Sequence, residues 1–142
     1  MRIKFTRKAK ASWTTADIEG IKVATRWCAG RLGFNRLPIT IVVRFIGPHP
    51  SQFGACSQME DDRFIIWLQS GFDFPRTVST LFHEMTHVRQ YLFEGLLLHS
   101  DKLAEFRDDV YREVDYWTAP WEREARRHEK LLLEQFIRNQ NA

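Results

Sequence analysis

The chain has 142 residues, 44% of them hydrophobic and 13% aromatic, with a formal net charge of +3. That length suits one domain, and the composition is too apolar for a disordered segment. A sequence pI near 9.1 is no nucleic-acid-binding signature by itself, and no apolar run approaches the roughly 18 residues that span a membrane.

Arg2, Lys4, Arg7, Lys8 and Lys10 crowd the start and read as a solvated first strand or arm. Ile3 and Phe5 stand isolated among these charges, so nothing here has the apolar core of a signal peptide, and a cytoplasmic protein is expected. Cys28 and Cys56 form neither a CxxC pair nor a metal knuckle and are expected as free thiols. A first helix is predicted from Thr14 or Thr15, either of which can cap it, to Arg31. Asp17 and Glu19 fall in its first turn, Ile18, Ile21, Thr25, Cys28 and Leu32 lie on one face, and Gly33 ends it.

Residues 37–46 are rich in β-branched side chains and close on Gly47-Pro48, which predicts a strand. Residues 53–58 and 63–69 are two more strands, joined by the acidic turn Glu60-Asp61-Asp62. A helix with Pro75 in its first turn runs to about Phe93 and stops near Gly95. Residues 100–117, charged throughout, are predicted helical, and Pro120 opens a last helix to about Arg138. Helix, strands, then helices gives an α+β class: a small three-stranded, mostly antiparallel sheet packed on helices, in a single domain over residues 1–142.

The chemistry sits in His83-Glu84-Met85-Thr86-His87. Residues four apart on a helix share a face, so both imidazoles can reach one metal ion, and Glu84 points about 100° round from His83. This is the zincin arrangement: two histidines on one Zn²⁺ per chain and a glutamate as general base. With five histidines in 142 residues, a chance HExxH is about a one-in-a-hundred event if positions are independent.

A catalytic zinc takes a third protein ligand. On a helical wheel of the last helix, Glu122 lies roughly 50° from the centre of the apolar face defined by Trp121, Ala125, Leu132 and Phe136. Glu124 lies roughly 105° away, facing solvent or supporting the ligands from behind, and Glu129 is again near the apolar face. His99, twelve residues beyond His87, is a rival third ligand if the chain reverses at Gly95. Tyr116 and His128 are both candidates to stabilise an oxyanion.

The HExxH segment followed by Glu122-Arg123-Glu124-Ala125 resembles the gluzincins, and with Tyr116-Trp117 and Pro120-Trp121 it is similar to small HExxH metallopeptidase-like proteins encoded by phages. The resemblance implies a minimal zincin-like fold in which His83, His87 and Glu122 bind zinc and Glu84 is the base. A host-cytoplasmic location follows for a phage-encoded protein. It also implies a peptide or protein substrate lying along an edge strand, within 53–58 or 63–69. Two alternatives carry different expectations. A SprT-like protease of DNA-bound proteins would use His99 as third ligand. A non-catalytic zincin-fold binding module would have no use for Glu84.

Overall fold

The computed structural model describes residues 1–8, 11–13 and 17–141. Ten elements follow in order: β1 (Arg2–Arg7), α1 (Ile18–Leu32), β2 (Thr40–Ile46), β3 (Gly54–Glu60), β4 (Arg63–Gln69), α2 (Phe74–Phe93), β5 (Leu97–Leu98), β6 (Leu103–Phe106), β7 (Asp109–Arg112) and α3 (Pro120–Gln140). The class is α+β. No helix among the described residues is long and apolar enough to cross a membrane. Cys28 and Cys56 are free.

The main sheet corrects the sequence expectation in size and direction. It has four strands in the order β1-β2-β4-β3, and both β1–β2 and β2–β4 are parallel; only β3 runs antiparallel to its neighbour. The basic start of the chain is therefore a sheet strand. Residues alternate along it, so Ile3 and Phe5 pack on the core while Arg2 and Lys4 turn to the other face. Ile41, Val43 and Phe45 of β2 and Phe64, Ile66 and Leu68 of β4 are buried on one face, in a single core with α1, α2 and α3.

The helices form where their signals stand. Asp17 caps α1, its Oδ1 accepting from Glu19 N at 3.1 Å; the proposed caps Thr14 and Thr15, like Lys10, lie outside the described residues. Gly33 ends α1 in the left-handed region at φ 89°, where a side chain is disfavoured. Asp73 caps α2 by accepting from Arg76 N at 3.0 Å, with Pro75 in the first turn. Phe82 of α2 lies fully buried against Trp27 of α1 and Phe136 of α3, at ring separations of 5.6 and 5.7 Å. That aromatic contact joins the three helices.

The predicted helix over 100–117 is absent: those residues contain the β6–β7 hairpin, the central strand and one edge strand of a small sheet ordered β5-β6-β7. Its two-residue turn, Arg107-Asp108, has φ of 50° and 68°, the left-handed pair that lets a tight hairpin follow the strand twist. The period is two: Ala104 and Phe106 point inward, into a second core with Leu96, Ala119 and Trp121. A single helix, α3, follows in place of two. The hairpin thus braces the N-terminal end of α3 and helps to position Glu122.

Candidate metal centre

α2 and α3 pack side by side, and their contact brings three charged or ionisable side chains out of solvent together. His83, His87 and Glu122 are 8%, 7% and 7% exposed, and one ligand atom from each lies within 4.8 Å of the others. His83 Nε2 is 3.0 Å from Glu122 Oε1, and His87 Nε2 is 3.0 Å from Glu122 Oε2. One carboxylate is thus shared by two imidazoles.

The outer nitrogens decide what the inner ones can do. Gln90 is fully buried and its Nε2 donates to Trp121 O at 2.9 Å and to Glu124 Oε1 at 3.1 Å. Its Oε1 is thereby turned to His87 Nδ1, 2.7 Å away. His87 must donate there, since an amide oxygen only accepts. His83 Nδ1 faces Glu129 Oε1 at 3.2 Å, and Glu129 Oε2 accepts from Ser79 Oγ at 3.2 Å. Carboxylate oxygens also only accept, so His83 donates too. Both imidazoles are held as Nδ1–H, with Nε2 aimed at Glu122. If those two Nε2 atoms carried lone pairs beside a carboxylate, the cluster would be a set of acceptors without a donor. Either protons or a cation must fill it. Two imidazole nitrogens and one carboxylate are a donor set that divalent transition metals accept, so the three residues could hold a metal ion.

The electrostatics of the metal-free cluster say the same. Burial would lower the His83 pKa, but its hydrogen bonds to Glu122 and Glu129 outweigh that and push it up to about 10. His87 is also raised, with Glu122 overcoming burial. Burial would raise Glu122, yet its hydrogen bonds to the two histidines hold it near 2. Protons on the imidazoles supply the positive charge that the buried Glu122 carboxylate favours.

Glu84 lies in the same cleft, 6% exposed, its carboxyl raised to about 6 by burial, with His87 and His83 pulling the other way. The cleft has a volume of about 580 Å³, and β3 forms one wall. Gly54 of β3 is needed for this fit: a Cβ there would stand 2.6 Å from Thr80 Cγ2, 2.9 Å from the Trp67 carbonyl oxygen and 3.4 Å from Glu84 Cγ. Of the two candidate substrate strands, β3 is the one at the sheet edge; β4 is interior. Phe53 O accepts from Gln69 N, so, by the alternation of an antiparallel pair, Gly54 and Cys56 turn their N–H and C=O groups away from β4.

The other candidates separate. Tyr116 lines the cleft, 57% exposed, with its phenol raised above the ordinary value by burial and then by Glu122 and Glu84. His128 does not line it; it sits half-buried near Glu124, Arg89 and Glu94 with Nδ1 unpartnered. His99 is exposed and bonds Glu105 Oε2 at 2.6 Å, outside the cluster. Glu124 is 6% exposed behind the ligands, bonded to Gln90 and Arg107. The supporting roles of Gln90 and Glu129 were not assigned from the sequence. The signal for them was helical spacing, Gln90 three residues past His87 and Glu129 seven past Glu122. No protein-family model matches this chain, and neither a curated protein nor a solved structure matches it.

Proposed function

We propose that this chain is a zinc-dependent peptidase, a minimal zincin of the gluzincin kind. The observation that carries the reading is the pair of imidazoles, each pinned outward by a buried acceptor, converging on Glu122 beside a second buried carboxylate, Glu84. His83, His87 and Glu122 would hold the ion, leaving a net charge of +1 with neutral histidines. Zinc, when bound, supplies a Lewis acid that polarises the scissile carbonyl and makes water acidic enough to attack near neutral pH.

The remaining steps belong to the chain. Glu84 takes the proton of the attacking water on its carboxylate and hands it to the leaving amine; burial raises its carboxyl above the ordinary value and makes it a stronger base than an exposed glutamate. Gly54 and Cys56 on β3 offer outward N–H and C=O groups that an extended peptide can pair with, which fixes the scissile bond over the metal helix and makes little demand on side chains. Tyr116 keeps its proton at neutral pH and can donate to the carbonyl oxygen as charge develops there.

The test is metal analysis with peptide hydrolysis. About one zinc per chain is expected, and Glu84→Gln should retain it while lowering hydrolysis about 10²–10⁴-fold. Zinc bound with no hydrolysis of any unstructured protein would overturn the peptidase reading in favour of a binding module.

A further inference from the structure

The cleft that holds three carboxylates has a single Lys or Arg side chain among its lining residues, Arg126. It stands on α3 one turn beyond Glu122. An arginine among Glu84, Glu122 and Glu129 would be expected to pair with one of them, yet Arg126 forms no ion pair among the described residues. Its Nη2 donates instead to the Trp117 carbonyl, and its guanidinium lies 4.9 Å from the centre of the Trp117 ring. Its Nη1 is shut off from solvent and has no hydrogen-bond partner. A buried, unmet donor on a charged group is costly to the fold, and the guanidinium is already fixed by the backbone bond and the ring stack. The guanidinium is thus a cation on the cleft wall that no carboxylate of the described residues neutralises, held in place before a ligand arrives.

We propose that Arg126 is the residue that selects substrates, by binding a carboxylate on the peptide close to the scissile bond. This deepens the peptidase reading and rests on it for the word substrate. Two sources supply the same chemistry: the free C-terminal carboxylate of a short peptide, or an Asp or Glu side chain in a longer one. A neutral amide at the same place leaves the fixed donor with a weaker acceptor. Hydrogen bonds to charged groups contribute about 1.5–3 kcal/mol, which converts to a preference of about ten- to hundredfold in Kd. The apolar walls, where Phe53, Leu98 and Trp117 are each at least half exposed, accept the rest of such a peptide whatever its charge.

The experiment measures binding, so it does not depend on turnover. Zinc-supplemented protein carrying Glu84→Gln is titrated, following tryptophan fluorescence, with three probes. They are acetyl-Ala-Phe-Leu-Ala with a free carboxylate, the same peptide amidated, and the amidated peptide with Glu as its last residue. One or both carboxylate peptides should bind about ten- to hundredfold more tightly than the neutral one, and which of them does so names the source. Arg126→Gln should erase the preference and leave the neutral peptide's Kd within about twofold; Arg126→Lys should restore part of it. Equal binding of all three probes, no binding of either carboxylate peptide, or a preference that survives in Arg126→Gln would overturn the assignment. In protein that keeps Glu84, an equal fall in kcat for every peptide on Arg126→Gln, with binding unchanged, would also overturn it and place the guanidinium on the carbonyl oxygen. A carboxylate preference without hydrolysis in the wild type removes the peptidase reading and leaves Arg126 as the selector of whatever the cleft binds.

Discussion

Gln90→Leu isolates the support beneath the candidate metal centre. Leucine fills nearly the same volume, so the perturbation is the loss of the amide and not of packing. Three buried partners lose it together: His87 Nδ1, the Trp121 carbonyl and Glu124 Oε1. A buried polar group left unpaired costs about 1–3 kcal/mol, but Glu124 keeps Arg107 and the Trp121 carbonyl lies in the first turn of α3, so the net loss should be near 3 kcal/mol. At about 2–4 °C per kcal/mol for a chain of this size, the melting temperature should fall by about 6–12 °C. The imidazole would also lose the acceptor that fixes its tautomer and orientation, and changes of that kind weaken metal binding about 10–100-fold. Chelator competition on folded protein at 20 °C reads the affinity, and thermal melts in excess chelator read the stability. Unchanged zinc affinity in a folded Gln90→Leu protein would refute the argument that Gln90 holds His87 ready for a cation, whatever happens to the melt.

Glu122→Ala should lose most bound metal, whereas His99→Ala, whose imidazole is exposed on Glu105, should keep all of it; zinc content by atomic absorption separates the two. Gly54→Ala should force β3 off α2 and lower peptide hydrolysis at least tenfold while zinc content stays near one per chain, because the added methyl meets the Trp67 carbonyl and Thr80 before it meets any ligand. The metal-free and metal-loaded proteins should differ in their response to pH. His83 is raised from 6.5 to about 10 in the fold, so its contribution to metal-free stability is complete below about 6.5 and fades as pH rises through 10. Melts of chelated protein should therefore fall between pH 6.5 and 10. Zinc uptake, which requires neutral imidazoles, should tighten over the same range and release protons in calorimetry with two buffers; a zinc affinity independent of pH would contradict this.

The helix carrying His83 and His87 was legible because everything it needs is local. The spacing of His83 and His87 is a property of one helix, Asp73 and Pro75 mark its start, and Glu122 could be placed from the apolar stripe of α3. What failed was non-local. The start of the chain reads from sequence as a solvated strand or arm outside the sheet, since Arg2 and Lys4 look solvated until the partner that buries Ile3 and Phe5 is known. The parallel pairing of β2 with β4 depends on how the chain crosses over, and no residue within either strand encodes it. The β6–β7 hairpin misled for a similar reason: its alternation is only four residues long on each side, and its turn is built from Arg107 and Asp108 without the glycine that usually announces one. The linked roles of Gln90 and Glu129 needed α2 and α3 to be docked before they could be seen.

The charges in the cleft are those that a divalent cation would balance. Glu84, Glu122 and Glu129 carry three negative charges when ionised and Arg126 carries one positive charge, a deficit of two. Protonating both His83 and His87 closes the deficit without a metal, which is the direction in which their pKa values are displaced. A single ion of charge +2 closes it equally, while freeing both Nε2 lone pairs to bind. Cation and protons are therefore interchangeable fillings of one site, two protons for one ion, and the burial that makes unpaired acids costly favours whichever is present. A monovalent cation leaves half the deficit and still requires one imidazole to stay protonated, so that imidazole cannot be a ligand. On the proposed reading, the cleft would discriminate by charge before it discriminates by coordination geometry. With the divalent ion in place the cleft is neutral, so a carboxylate on the bound peptide meets the positive centre and the Arg126 guanidinium without net repulsion from the three acids around it.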